Sequence, residues 1–234
     1  MNKFIVVTGG SKGIGKEIIK KFTREGFDAA TCARQEDELK QVQKVVLEES
    51  NRMVYYQTAD LSLKEDVLAF GDYIKSLDRD IDVLVNNTGV FMPGILLDEP
   101  DGNLDRMIHT NLYSAYHLVR ALVPKMAARK EGYIFNICSI ASIFAYPNGG
   151  SYAISKFALY GMTKVLREEL KTSGIRVTAV LPGATLTSSW EGVNIPSERF
   201  MKPEDVAEAV YSAYMLSRQS VVEEIIIRPQ LGDL

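Results

Sequence analysis

The sequence predicts an α/β protein: one doubly wound domain spanning residues 1–234, with a parallel seven-stranded sheet covered by helices on both faces. Three observations carry that expectation. Short apolar runs rich in β-branched residues alternate along the whole chain with longer stretches of helical spacing. The short runs are near-continuously apolar, as in strands buried on both faces. No Pro/Gly/Ser-rich linker, composition shift or internal repeat divides the 234 residues, and at about 100–200 residues per domain that length fits one large domain.

The elements follow in order. The first strand is expected at residues 4–8, running into a glycine cluster and a helix over 14–24 that Gly26 closes. Strands at 29–32 and 53–58 alternate with helices over 39–49 and 64–77, where apolar residues recur every three or four positions. A strand at 83–85 precedes a long helix over 112–129, and Gly132 separates that helix from a strand at 133–138. The helix over 152–172 stops before Gly174, and a strand follows at 177–181. Pro203 stands where an N1 residue belongs, at the head of a helix over 203–216, and the last strand is 221–227.

Composition narrows the function classes. Apolar residues make up 46% and charged residues 24%, as in ordinary soluble domains, so collagen-like and disordered readings fall away. A net charge of −3 without blocks of like charge offers no broad surface for nucleic acid or an anionic membrane, so a small-molecule site is expected. The two cysteines, Cys32 and Cys138, have no CxxC spacing and no nearby histidines. They are expected to be buried thiols, with no metal site and no disulfide framework. The N-terminal apolar run is too short for a signal-peptide core or a membrane span, so a cytoplasmic location is expected.

Chemistry enters at Thr8-Gly9-Gly10-Ser11-Lys12-Gly13-Ile14-Gly15, between a strand and a helix. Glycines there let the backbone turn tightly and approach a pyrophosphate, while the helix N-terminus supplies oriented N–H groups. The order Gly9-x-x-x-Gly13-x-Gly15 differs from GxGxxG and resembles the turn of the short-chain dehydrogenase/reductase family. Other segments extend that resemblance over essentially the whole chain. Asn86-Asn87-Thr88-Gly89 is similar to the family's NNAG, with Thr88 in place of alanine; Asn111, Ser139, the YxxxK spacing of Tyr152 and Lys156, and Pro182-Gly183 follow in order. Within the family, the 3-oxoacyl carrier-protein reductase and sepiapterin-reductase-like branches are both similar.

The resemblance implies a Rossmann domain that binds a nicotinamide dinucleotide. Gly9, Ser11, Gly13, Ile14 and Gly15 would surround the pyrophosphate, Asp60 and Leu61 the adenine, and Asn87 and Gly89 the adenosine and ribose side. Pro182, Gly183, Thr185 and Thr187 would meet the nicotinamide amide or the phosphates, and Tyr152 and Lys156 the nicotinamide end. Charge favours NADP(H) over NAD(H): Ala33 stands where NAD users of the family carry an acid, while Lys12 and Arg34 are placed for a 2′-phosphate. The competing arrangement has Lys12 and Arg34 solvated and Glu36 or Asp37 turned in to bind NAD(H). Asp60 also reads as a helix N-terminal signal in Asp60-Leu61-Ser62.

At i and i+4 on one helix, Tyr152 and Lys156 share a face, and the lysine charge is expected to stabilise the tyrosine phenolate. By resemblance Tyr152 is the general acid/base and Lys156 also holds the nicotinamide ribose. Ser139 donates to the substrate carbonyl oxygen, and Asn111 ties its helix to a proton-relaying water. The plain readings are a strand-end serine that caps a loop and an N-cap before Leu112. The implied reaction is hydride transfer between NADP(H) and a small carbonyl or alcohol substrate. The alternative class is a non-catalytic NADP(H)-binding redox sensor.

The substrate loop is expected at about 184–202, with Trp190, Ile195 and Phe200 as an apolar lid, and Phe91, Met92, Phe144 and Tyr146 facing it. Glu191, Glu198 and Arg199 are expected to be exposed, and His109 and His117 to serve surface or packing roles. Leu112, Ala115, Val119, Leu122 and Met126 form an apolar stripe needed for packing on the sheet. Homodimers or homotetramers are what the resemblance implies for assembly.

Overall fold

The computed structural model describes residues 2–190 and 192–233. Strands form at Phe4–Thr8 (β1), Asp28–Ala33 (β2), Val54–Thr58 (β3), Val83–Asn86 (β4), Gly132–Ile137 (β5), Ile175–Pro182 (β6) and Glu224–Ile227 (β7). All pair in parallel in one sheet ordered β3-β2-β1-β4-β5-β6-β7. The helices are Gly13–Arg24 (α1), Glu36–Ser50 (α2), Lys64–Ser76 (α3), Asn103–Ile108 (α4), Ser114–Arg129 (α5), Gly150–Leu170 (α6) and Pro203–Met215 (α7).

Side chains alternate across a strand, so a strand covered on both sides must be apolar at every position. β1 shows this directly. Ile5 and Val7 face Ile18, Phe22 and Val206 of α1 and α7. Phe4 and Val6 face the opposite way, toward Phe70 of α3 and Leu118 and Leu122 of α5. The predicted α5 stripe packs as expected, with Ala115, Val119, Leu122 and Met126 buried and Leu112 half-buried. A smaller cluster seats Leu159 of α6 against Ala179 and Leu181 of β6.

Two local expectations need correction. The long helix does not open at Asn111. It starts at Asn103, after Gly102 at φ 89°, and runs through a single π turn at His109–Tyr113 into α5. Leu104, Met107 and Ile108 already carry helical spacing, but the polar Pro100-Asp101-Gly102 before them reads as a loop. Asn111 is therefore inside a helix and caps nothing. At the other end, Lys130 at φ 57° closes α5, and β5 runs Gly132–Ile137, opening at the glycine expected to precede it.

Strand order reverses between β1 and β4, and in open α/β sheets the crevice outside the strand C-termini at that point is where ligands bind. A buried polar ladder runs from this region to α6. Asn86 Nδ2 donates to Asn136 Oδ1 at 2.7 Å, and Asn136 Nδ2 donates to Thr163 Oγ1 at 2.8 Å. It fixes the sheet's centre to the helix that carries Tyr152 and Lys156.

On the far face, Phe22 is fully buried, with ring centroids 5.1 Å from Phe27, 5.2 Å from Tyr211 and 5.6 Å from Tyr214. Phe22→Ala is expected to cost about 3–5 kcal/mol through lost burial and an unfilled cavity. Denaturant unfolding measures it, and a loss under about 1 kcal/mol would mean that this aromatic cluster closes over the gap.

Candidate active site

At the end of β1 the backbone has almost no room. A Cβ at Gly15 would lie 2.5 Å from both Asn87 Nδ2 and Gly9 O, and one at Gly9, at φ +66°, would lie 2.9 Å from Thr88 Oγ1. Asn87 holds this turn to the end of β4, its Nδ2 donating to Thr8 O at 2.9 Å and to Gly9 O at 3.1 Å. The Thr8 hydroxyl accepts from the N–H groups of Asn87 and Thr88 at 2.9 and 3.0 Å. The turn leads into α1, whose N-terminus has no side-chain cap and no acid in its first turn. Its free N–H groups and positive dipole end face a cavity of about 910 Å³.

Most predicted site residues line that cavity: Gly9, Ser11, Lys12, Gly13, Ile14, Arg34, Asp60, Leu61, Asn87, Gly89, Ser139, Tyr152, Lys156, Pro182, Gly183, Thr185 and Thr187. Gly15 and Asn111 lie behind the lining and shape it. Asn111 is 1% exposed. Its Oδ1 accepts from Val90 N at 2.7 Å, while its Nδ2 donates to Val90 O at 3.1 Å and to Ser155 Oγ at 2.8 Å. It thus ties the segment after β4 to α6, one residue from Lys156.

A dinucleotide fits these residues. The glycines keep the backbone open beside an uncapped helix N-terminus, and Thr88 Oγ1 is buried against the turn with no partner among the described residues. Asp60 accepts from Ser62 N at 3.0 Å and from Ser62 Oγ at 2.8 Å. Burial opposes its charge, but the Ser62 bonds and the nearby Arg34 and Arg106 guanidinium groups hold the carboxyl below its usual range. The local turn and the position beside the crevice are both present.

At the other end of the cavity Ser139 follows β5. Its hydroxyl oxygen accepts from Ala141 N at 3.1 Å, and Ser142 Oγ accepts from Ser139 N at 3.2 Å. The capping role is real, and it leaves the Ser139 proton free to be donated toward the Tyr152 phenol, which it faces. Burial pushes that phenol up to about 12, with the Ser139 hydrogen bond pulling the other way.

The acceptor that the lysine ammonium finds is a backbone carbonyl. Lys156 Nζ is 5.9 Å from the Tyr152 ring centroid and donates to Ile137 O at 2.8 Å. Its side chain is buried, with no ion-pair partner among the described residues, and desolvation lowers it to about 8. A carbonyl dipole compensates the ammonium only in part, so both groups are shifted toward their neutral forms.

The start of α6 and the residues just before it are clasped from outside. The Glu99 carboxylate accepts from the Ser151 hydroxyl and from Ser151 N, and Gly94 N donates to Asn148 O at 3.0 Å. Around the mouth, Phe91 packs edge-on against Tyr152 at 4.8 Å, with Trp190 behind it at 6.1 Å. Phe144 and Tyr146 also line the cavity. Met92, Ile195 and Phe200 do not, and Phe200 is buried beneath Trp190 at 5.1 Å as an anchor of the loop. Glu191 is outside the described residues. Glu198 is exposed, Arg199 is half-buried, and neither lines the cavity. His109 is exposed and His117 half-buried, both packed edge-on against tyrosines and absent from the cavity lining.

Sequence reasoning missed Glu38, Thr88, Arg106 and Asp233, all of which line the cavity. Asp233, paired with Arg228, reaches it from the far end of the chain. Cys32 and Cys138 are buried free thiols that desolvation raises to about 12 and about 11. Among the described residues no helix is long and apolar enough to cross a membrane.

Residues 3–197 match the family model described as short chain dehydrogenase. Sepiapterin reductase of Chlorobaculum tepidum is 33% identical, covering 100% of this chain and 99% of that protein. The alcohol dehydrogenase of Thermococcus sibiricus complexed with 5-hydroxy-NADP superposes with a TM-score of 0.92 at 27% identity, over 99% of this chain and 98% of that one. The L-sorbose reductase of Gluconobacter frateurii complexed with NADPH and L-sorbose gives a TM-score of 0.88 at 27% identity, over 97% and 95% of the two chains.

The buried ammonium has a measurable consequence. With Lys156 at about 8 in the fold and about 10.4 in the unfolded chain, the unfolded state holds the proton more tightly between those values. Stability therefore rises with pH across that window. Relative to Lys156→Met, the protein is expected to gain about 1–2 kcal/mol between about pH 8 and pH 9.5 in denaturant unfolding. Parallel pH dependences of the two proteins would contradict the depressed value.

Proposed function

The chain belongs to the short-chain dehydrogenase/reductase family, and from that premise we propose that it interconverts a small carbonyl compound and its alcohol with NADP(H). We read the whole chain as one NADP-binding domain. The observation that supports this best is the enclosure of Ser139, Tyr152 and Lys156 in the same cavity as the glycine turn. A non-catalytic redox sensor would need the turn but not this trio.

The cofactor would be held by the α1 N-terminus and the glycine turn at its pyrophosphate, by Asp60 and Leu61 near the adenine, and by Lys12 and Arg34 at the 2′-phosphate. Bound there, it supplies or accepts the hydride. Ser139, whose oxygen is already engaged by Ala141 N, donates its proton to the substrate oxygen and stabilises developing negative charge. Tyr152, raised to about 12, is a protonated phenol at neutral pH and gives its proton to the alkoxide as general acid. Lys156 has two protons beyond the one on Ile137 O, available for the nicotinamide ribose and for resupplying the phenol. Asn111 positions α6 through Ser155.

The aromatic mouth suits a substrate with apolar bulk. Exposed Tyr113, Tyr116, Ile154 and Phe157 on the segment from the π turn through α5 and on α6 support a homo-oligomer. The two buried free thiols suit a cytoplasmic location.

Two measurements test this reading. With NADPH oxidation followed against an acetoacetyl thioester, a diketone and aromatic aldehydes, Tyr152→Phe is expected to cut turnover about 10²–10⁴-fold. Its NADPH affinity should stay within about threefold, because the ring and its contacts remain; near-normal turnover would refute the assigned role. Arg34→Asp is expected to weaken NADPH binding about ten- to a hundredfold and to strengthen NADH binding. Unchanged NADPH affinity with no gain for NADH would sink the cofactor assignment.

A further inference from the structure

Three acids open α2, and they do three different things. Glu36 pairs with Lys40 at 3.0 Å along the helix surface, and Asp37 is fully exposed. Glu38, next to the fully buried Leu39, turns into the crevice. Its Oε1 lies 2.9 Å from Lys12 Nζ, and its Oε2 accepts from Ser11 Oγ at 2.8 Å. Arg34 adds its positive charge to the same carboxylate. Hydrogen bonds from Lys12 and Ser11, opposed by partial burial, hold Glu38 below the usual carboxylate range, so it stays charged at neutral pH.

We propose that Glu38 is a specificity-determining residue of the cofactor site: an internal counter-charge that competes with the adenosine 2′-phosphate for Lys12 and Ser11. The inference rests on the reading that Lys12 and Arg34 receive that phosphate. A phosphomonoester carries a charge of about −1.5 to −2 near neutrality. At Lys12 it competes with the carboxylate, which remains nearby as a like charge. A ligand with a free 2′-hydroxyl leaves the Lys12–Glu38 pair intact. Glu38 therefore lowers affinity for 2′-phosphorylated cofactors selectively, and the discrimination is smaller than Lys12 and Arg34 alone would give. Sequence reasoning named Glu36 and Asp37 as the acids that could turn in; the helix phase selects Glu38 instead.

Calorimetric titration of 2′,5′-ADP, 5′-AMP, NADPH and NADH tests the inference on the full chain. Glu38→Gln is expected to tighten 2′,5′-ADP and NADPH about tenfold while 5′-AMP and NADH stay within about twofold. In a Lys12→Ala background the gain should shrink to under about threefold, because the contested cation is gone. The proposal is overturned if Glu38→Gln leaves the ratio of 2′,5′-ADP to 5′-AMP affinity unchanged, weakens NADPH, or shifts all four ligands alike. A parent protein that binds 2′,5′-ADP no tighter than 5′-AMP, with Lys12→Ala and Arg34→Asp making no difference, removes the phosphate reading itself. A parent protein that prefers 2′,5′-ADP through those residues, combined with an unresponsive Glu38→Gln, removes only the role of Glu38.

Discussion

The close approach of the glycine turn to the end of β4 is the constraint on which the rest of the structure depends. Asn87 donates to Thr8 O and Gly9 O across the point where strand order reverses, joining the two halves of the sheet at their C-terminal ends. No side chain fits at Gly15 between Asn87 and Gly9 O. Because the turn is held so tightly, α1 starts at the crevice with its N–H groups unspent. Substituting a cap there would satisfy the helix and spend the N–H groups that now face the crevice.

The second half of the site is built on α6, which is located by polar bonds from three directions. Asn136 reaches Thr163 from the sheet, Asn111 reaches Ser155 from the π turn, and Glu99 reaches Ser151 from the loop after β4. Apolar packing alone would let a helix slide or rotate by small amounts, whereas directional bonds along its length set both register and rotation. Tyr152 and Lys156 inherit that precision, being bracketed by Ser151 and Ser155.

Much of this was legible in the sequence, and the reasons differ by residue. The seven strands were readable because double-sided burial writes an unbroken apolar run. The turn and the Tyr152–Lys156 pair were readable because each is a local pattern whose geometry follows from one helix. Glu38 was not, since Glu36, Asp37 and Glu38 are chemically alike and only the phase set by buried Leu39 separates them. Asp233 was hidden by distance along the chain. Asn111 was placed one structural level too low: the same residue type serves as an N-cap or as a helix-interior clamp, and the choice depends on a helix start at Gly102 that its polar neighbours conceal. The electrostatic state of Lys156 was also out of reach, because spacing puts two groups on one face without saying which acceptor the ammonium will find.

That acceptor is a backbone carbonyl, and the choice has a thermodynamic meaning. A carboxylate beside the buried lysine would compensate the ammonium more fully than a carbonyl does, but it would also neutralise the positive charge at that end of the crevice. Ile137 O orients Nζ and takes one proton without cancelling its charge. The fold therefore carries an under-compensated cation, visible in its lowered proton affinity, beside a phenol that burial keeps protonated. Strain of this kind persists only where the surroundings over-determine the geometry. The three sets of bonds that locate α6 supply that determination, so the stability of the sheet-to-helix contacts and the shifted proton affinities of Tyr152 and Lys156 are two consequences of one arrangement.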